Sequence, residues 1–209
     1  MLGLLAKKVG MTQIFDEQGN LIPVTVLKVD GNTVLAQKNK EKDGYDAVLL
    51  GVDDAKPSRV TKAYAGQFTE GTAPKKHTKE FRDFSKECSV GDKLGLDIFE
   101  GCRFVDVQAV SKGKGFQGVV SRYHFGGGRY THGSNFHREP GSTGQSPYPH
   151  KTFKNVKLPG RMGRETVTTL NLRVIKIDLE KNIIMINGAV PGIKKGLVVV
   201  RDAVKKQRA

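Results

Sequence analysis

For 35 residues, from Ser121 to Asn155, the chain has no Ala, Val, Ile, Leu or Met. A stretch of that length without an aliphatic side chain buries too little apolar surface to offset its chain entropy, so it cannot form a core of its own. From Ser111 to Arg164 acidic residues are also scarce, Glu139 being the one carboxylate side chain. Tryptophan is absent from the whole chain, and the two cysteines, Cys88 and Cys102, form no CxxC. Two cysteines exclude a disulfide framework and a four-cysteine zinc site, and they suit a reducing compartment. No apolar run approaches the roughly 18 residues of a membrane helix. The opening Met1 to Lys8 has too short an apolar run for a secretory signal and no basic region before it. The sequence therefore predicts a cytoplasmic protein with no membrane partner.

What fills the aliphatic-poor stretch is charge and rings. Ten cations lie between Ser111 and Arg164: Lys112, Lys114, Arg122, Arg129, Arg138, Lys151, Lys154, Lys157, Arg161 and Arg164. Against Glu139 they give this segment +9 of the chain's formal +14. Tyr123, Phe125, Tyr130, Phe136, Tyr148 and Phe153 are interleaved with them. A solvated linker does not carry six aromatic rings. A polyanion that offers both phosphates and stacking faces fits the composition, because bases stack on aromatic rings and guanidinium planes while cations neutralise the backbone. Folded RNA is the partner this predicts. Tyr123, Tyr130, Phe136 and Tyr148 have no aliphatic neighbours and are assigned to that partner, whereas Phe116 and Phe153 could equally be core residues at the root of the segment.

The flanking sequence has strand texture. Met11 to Phe15, Leu21 to Val29, Thr33 to Lys38, Ala47 to Val52, Leu94 to Phe99, Arg103 to Val110, Val167 to Asp178, Asn182 to Asn187 and Leu197 to Arg201 read as strands separated by Gly, Asn and Asp turns. Leu21 to Val29 and Thr33 to Lys38 read as a hairpin about Asp30-Gly31-Asn32, and Lys38 to Asp46 as a charged loop. Residues 56–89 read as a partly helical insert, with a helix from Pro57-Ser58 through Phe68 ended by Gly71 to Pro74. The mixed charge from Lys75 to Phe84 reads as a solvated face. Strands at this spacing predict a mainly β protein built on a closed antiparallel barrel. Residues 1–110 and 165–209 form the globular part, and 111–164 is a long basic loop extension. The Lys205 to Arg208 tail is expected to fray.

Gly113-Lys114-Gly115-Phe116-Gln117-Gly118 is a literal GxGxxG. A dinucleotide fold would need a second parallel strand ending in an acid about 20 residues on, and that place falls in Gly-, His- and Pro-rich sequence. The same glycines, Gly113, Gly115 and Gly118, let backbone N–H groups approach an RNA phosphate beside Lys112 and Lys114. Gly126, Gly127 and Gly128 allow the same close approach further along. His124, His132, His137 and His150 complete no metal-ligand set, and no nucleophile with an orienting acid accompanies them. The residues assigned to RNA are therefore the ten cations with Tyr130, His132 and Gln145. No catalytic residue, metal, cofactor or small-molecule substrate is assigned.

These residues also carry a family pattern. Phe99, Asp106, Ala109, Ser111, Gly113-Lys114-Gly115, Gly118 and Arg122 stand at the spacing of large-subunit ribosomal protein L-three in its bacterial form, which the chain resembles over essentially its whole length. Further matching runs are Lys7 to Thr12, Thr131 to Ser134, Pro140 to Gln145 and Leu158 to Gly163. The resemblance implies a barrel of translation-protein type on large-subunit rRNA near its 3′ end, beside ribosomal proteins L-fourteen and L-nineteen. It also implies a part in early subunit assembly, a structural rather than enzymatic role, and an extension that runs toward the peptidyl transferase centre with its tip near Tyr130 to His150. Some members carry a methylated glutamine at the tip. That position is Pro147 here, and Gln145 lies close by.

Two other readings make different predictions: a nucleotide-dependent enzyme using the Gly113 to Gly118 loop, and a free-standing RNA chaperone. Equilibrium dialysis should find no saturable binding of NAD or ATP while an RNA pull-down succeeds. The chaperone reading predicts a protein that stays out of sedimenting ribosomal subunits.

Overall fold

Val105, Val107 and Ala109 alternate along one strand with all three side chains buried, and the computed structural model shows what they face. It describes residues 1–68 and 72–206. In chain order the elements are β1 (Gly3–Phe15), β2 (Leu21–Lys28), β3 (Asn32–Lys38), α1 (Lys40–Asp43), β4 (Ala47–Asp54), α2 (Lys62–Ala65), β5 (Lys75–Arg82), β6 (Lys93–Leu94) and β7 (Phe104–Val110). They continue with β8 (Gly115–Gln117), α3 (Val119–Tyr123), β9 (Gly160–Met162), β10 (Thr166–Asp178), β11 (Ile183–Asn187) and β12 (Leu197–Asp202). The described residues divide into two compact units, Ser111–Glu165 and the rest of the chain on either side of it.

The larger unit is mainly β, as predicted, and contains a closed six-stranded barrel in the order β1-β12-β7-β10-β11-β2. Every neighbouring pair is antiparallel. Leu4 pairs with Val200 and Val200 with Val107, while Ala6 pairs with Val198 and Val198 with Ala109. Directly opposed residues share a face, so these form two rows across the buried interior. Leu27, Ile184 and Ile186 complete it from the other side.

A second sheet, β5-β4-β3-β6, corrects two expectations. The hairpin expected from Leu21 to Lys38 does not form: β2 pairs with β1 and β11 in the barrel, and β3 pairs with β4 and β6 in the other sheet. Asp30 and Gly31 thus carry the chain from one sheet to the other. The mixed-charge run at Lys75 to Phe84 is mostly strand β5 against β4, and it buries Phe81 completely. Its charges decorate an edge strand, a common guard against edge-to-edge association.

Three smaller expectations also change. Of Leu94 to Phe99 only Leu94 is strand, the end of β6, and the 3-10 turn Leu96–Phe99 that follows sends Leu96, Ile98 and Phe99 into one core. Strict alternation would have exposed one of them. The helix expected from Pro57 to Phe68 is a 3-10 turn at Pro57–Arg59, then α2, restarted where the Thr61 hydroxyl accepts from the Tyr64 N–H. The charged loop after Lys38 contains α1, closed by Gly44 at φ +81°. Gly71, expected to help end that helix, and Gln207 and Arg208 of the tail lie outside the described residues.

The first part of β1, Gly3 to Ala6, joins barrel and second sheet because both its faces are covered there. Leu4 and Ala6 point into the barrel, while Gly3, Leu5 and Lys7 turn toward the other sheet. A Cβ on Gly3 would overlap the Phe81 ring. The β1–β2 ladder stops at Lys7↔Lys28, and the Asn32 side chain supplies the next rung. Its Oδ1 accepts from the Leu5 N–H at 2.8 Å and its Nδ2 donates to the Leu5 carbonyl at 3.0 Å. Lys7 bonds Asp53 at 2.5 Å and Asp30 at 3.1 Å. The Asp53 hydrogen bond, opposed by partial burial and reinforced by Asp30, holds the ammonium pKa above its usual value. Burial pushes the Asp30 pKa up, but the bonds from Lys7 and Lys28 prevail and hold it below the ordinary carboxylate value.

Asn32→Leu should therefore destabilise the protein by about 3 kcal/mol, since two buried backbone groups at about 1–3 kcal/mol each lose their partner. Lys7→Met should cost less than about 1 kcal/mol, as befits a partly exposed ion pair. The ion-pair contribution is full between the unfolded Asp pKa near 4 and the unfolded Lys value of 10.5; it is lost as pH falls through the lowered Asp30 value and as pH rises through the raised Lys7 value. Urea denaturation of both variants checks the order, and equal losses would contradict it.

Candidate nucleic-acid interface

The extension begins with a short ladder. β8 and β9 pair antiparallel through Gly115↔Met162, Phe116↔Arg161 and Gln117↔Gly160. Outside that ladder the Ser111 N–H donates to the Glu165 carbonyl at 2.8 Å, and the Ser111 hydroxyl accepts from the Glu165 N–H at 3.2 Å. Gly163, at φ +75°, lies so close to Lys112 that a Cβ would overlap its carbonyl oxygen. Two backbones can approach in this way only where one lacks a side chain.

α3 follows, with Val119 fully buried and His124 ending it at φ 60°. Arg122 is the one partly buried cation of the ten. Its Nη1 donates to the Leu158 carbonyl at 2.9 Å, and its guanidinium fills the space a side chain on Gly160 would need. The same guanidinium lies 5.0 Å from the Tyr123 ring centre and Lys157 Nζ lies 5.9 Å from it. Tyr123 thus lies within cation–π range of two cations of its own chain.

Further out, residues 127–137 close on themselves. The Gly128 N–H donates to the His137 carbonyl at 2.9 Å, and His137 Nδ1 lies 2.9 Å from the Arg129 carbonyl oxygen. Gly127 is at φ +72°, and side chains on Gly127 and Gly128 would meet the His137 and Phe136 carbonyls. These two glycines have an intrachain reason to be glycine. Gly115 needs its φ of +72° for the turn into β8, while Gly113, Gly118 and Gly126 meet no close neighbour. Gly113 to Gly118 leads into an antiparallel ladder and a five-residue helix, which is not the parallel β-α-β unit of a dinucleotide site.

Lys112, Lys114, Arg129, Arg138, Lys151, Lys154, Lys157, Arg161 and Arg164 are all exposed, as are Tyr130, His132 and Gln145. Among the described residues all eight ion pairs fall outside Ser111–Glu165. The globular unit pairs many of its charges internally; the extension pairs none with any described residue. Phe116 and Phe153 are 76% and 52% exposed, so of the two readings left open for them the core one does not hold. No group of three or more His, Cys, Asp or Glu among the described residues could hold a metal. No described helix is long and apolar enough to cross a membrane.

A family model described as ribosomal protein L3 matches residues 67–209, a span that takes in the entire extension. The chain is 54% identical to "Large ribosomal subunit protein uL3" of Treponema denticola over 208 residues, covering 100% of both chains. The proteins of the same name from Borrelia hermsii and Alkaliphilus metalliredigens are each 47% identical over at least 98% of both chains. The chain belongs to the ribosomal protein L3 family.

The L3-family motif from Phe99 to Arg122 can be read residue by residue in this fold. Phe99 and Ala109 are core. Buried Asp106 caps the bulge in β10, its Oδ1 accepting from the Asn171 N–H at 2.7 Å and its Oδ2 from the Val204 N–H at 3.2 Å. Ser111 closes the base of the extension, Gly115 turns the chain, and Arg122 ties α3 to Leu158. Sequence reasoning missed Gly160 as the seat of Arg122, Gly163 as the crossing point at Lys112, and His137 as the support of Tyr130. No periodicity marks them, since each acts across an irregular backbone.

Lys151, Lys154 and Lys157 carry no carboxylate partner among the described residues, so replacing all three with Gln should flatten the salt dependence of rRNA binding. At about 0.7–0.9 per neutralised phosphate, the slope of log K against log salt should fall by roughly two to three. An unchanged slope would mean that these lysines stay solvated in the complex.

Proposed function

We propose that the protein is a structural constituent of the large ribosomal subunit, held on large-subunit rRNA through the 111–164 extension and acting without catalysis. The observation that carries this reading is the extension's ten cations, nine of them exposed and none in an ion pair among the described residues. Charge left unpaired on that scale calls for an external polyanion. Family membership and relatives named for the large subunit support rRNA as that polyanion. Lys112, Lys114, Arg161 and Arg164 at the root and Arg129, Arg138 and Lys151 further out would meet phosphates. Tyr130, His132 and Gln145 would contact bases or sugar. Gly113, Gly115 and Gly118 would let the backbone approach phosphate.

The finer assignment follows the family resemblance: docking near the 3′ end of the large rRNA beside L-fourteen and L-nineteen, entry early in assembly, and a tip that orders RNA toward the peptidyl transferase centre. The tip would work by positioning alone, for it holds no acid–base pair and no metal-ligand set. Deleting Tyr130 to His150 should leave the protein folded and incorporated into subunits while lowering their peptide-bond formation. Reconstituted subunits measure both. Undiminished peptide-bond formation would refute an organising tip, and lost incorporation would show that docking itself needs it.

A further inference from the structure

One of the exposed rings is built as a platform. Tyr130 lies parallel to His137, with ring centres 4.8 Å apart and planes 7° apart. His137 is fixed at two points, through its Nδ1 on the Arg129 carbonyl and through its own carbonyl on the Gly128 N–H. The turn between them, with His132 at φ 59° and Gly133 at φ 69°, brings two residues seven apart in sequence into register. Although His137 covers one of its faces, Tyr130 remains 72% exposed, which leaves the other face to solvent. The other rings of the extension differ. Tyr123 is half-buried and lies within cation–π range of Arg122 and Lys157. Tyr148 is 91% exposed and rests on no other ring among the described residues.

We propose that the Tyr130–His137 pair is a stacking site for one unpaired nucleobase, which adds a third layer on the open face of Tyr130. The proposal rests on the RNA-binding reading and deepens it by naming the ligand class and the residue that receives it. A base suits the site better than a protein ring because Arg129 and Arg138 adjoin the two stacked residues in sequence and can meet the flanking phosphates. Holding the lower ring in place before binding reduces the ordering cost of the upper layer.

The test uses the full-length protein with two RNA hairpins that differ in one respect: one has a loop of adenosines, the other the same loop with abasic sites. The wild type should favour the adenosine loop about tenfold, as one base–aromatic stack implies. Tyr130→Leu should abolish that preference, Tyr130→Phe should keep it, and His137→Ala should reduce it. Phe15→Leu, at an exposed position of β1, should leave it intact. A wild type that binds both hairpins equally, or a Tyr130→Leu variant that keeps the full preference, would overturn the stacking site. Salt-dependent binding to the abasic hairpin would still uphold the RNA-binding reading in either case. Failure to bind either hairpin would count against that reading itself.

Discussion

Unneutralised positive charge on a segment without aliphatic side chains is the constraint from which the organisation of this protein follows. Such a segment cannot collapse on its own, so whatever order it has must come from the backbone. That order is visible at three places: the Ser111 to Glu165 closure and the β8–β9 ladder, the Arg122 clamp on Leu158, and the closed turn from Gly128 to His137. Each uses glycine, a main-chain carbonyl or a guanidinium where a folded domain would use a leucine. The side chains are thereby left free to face a partner.

The barrel supplies the opposite chemistry. Its interior is lined by Leu, Val, Ala and Ile, and three of its polar side chains bond to backbone. Asn32 completes the β1 ladder, Asp106 caps the β10 bulge, and the Thr25 hydroxyl donates to the Gly188 carbonyl at 2.6 Å. Buried polar groups satisfied in this way specify one arrangement, since any slip of register would leave them unpaired.

Much of this was legible in the residues themselves. Strand spacing predicted the closed antiparallel barrel, and Arg103 to Val110 read as the strand that is β7. What stayed hidden had physical causes. Leu2 to Ala6 shows no period of two because β1 is buried on both faces, and such strands read as continuous apolar runs. The turn at Asp30-Gly31 looks the same whether it closes a hairpin or carries the chain to another sheet; only Asn32's bond to Leu5 decides. Tyr130 and His137 are paired by a turn whose geometry depends on His132 and Gly133, and no local spacing encodes a ring stack in irregular backbone.

The central claim, that the extension's cations and rings are committed to RNA, is tested most directly by photo-crosslinking the native protein to rRNA within intact large subunits and mapping the crosslinked residues. The account predicts that crosslinks concentrate between Lys112 and Arg164 and include Tyr130. Crosslinks confined to the barrel, with the extension silent, would contradict it.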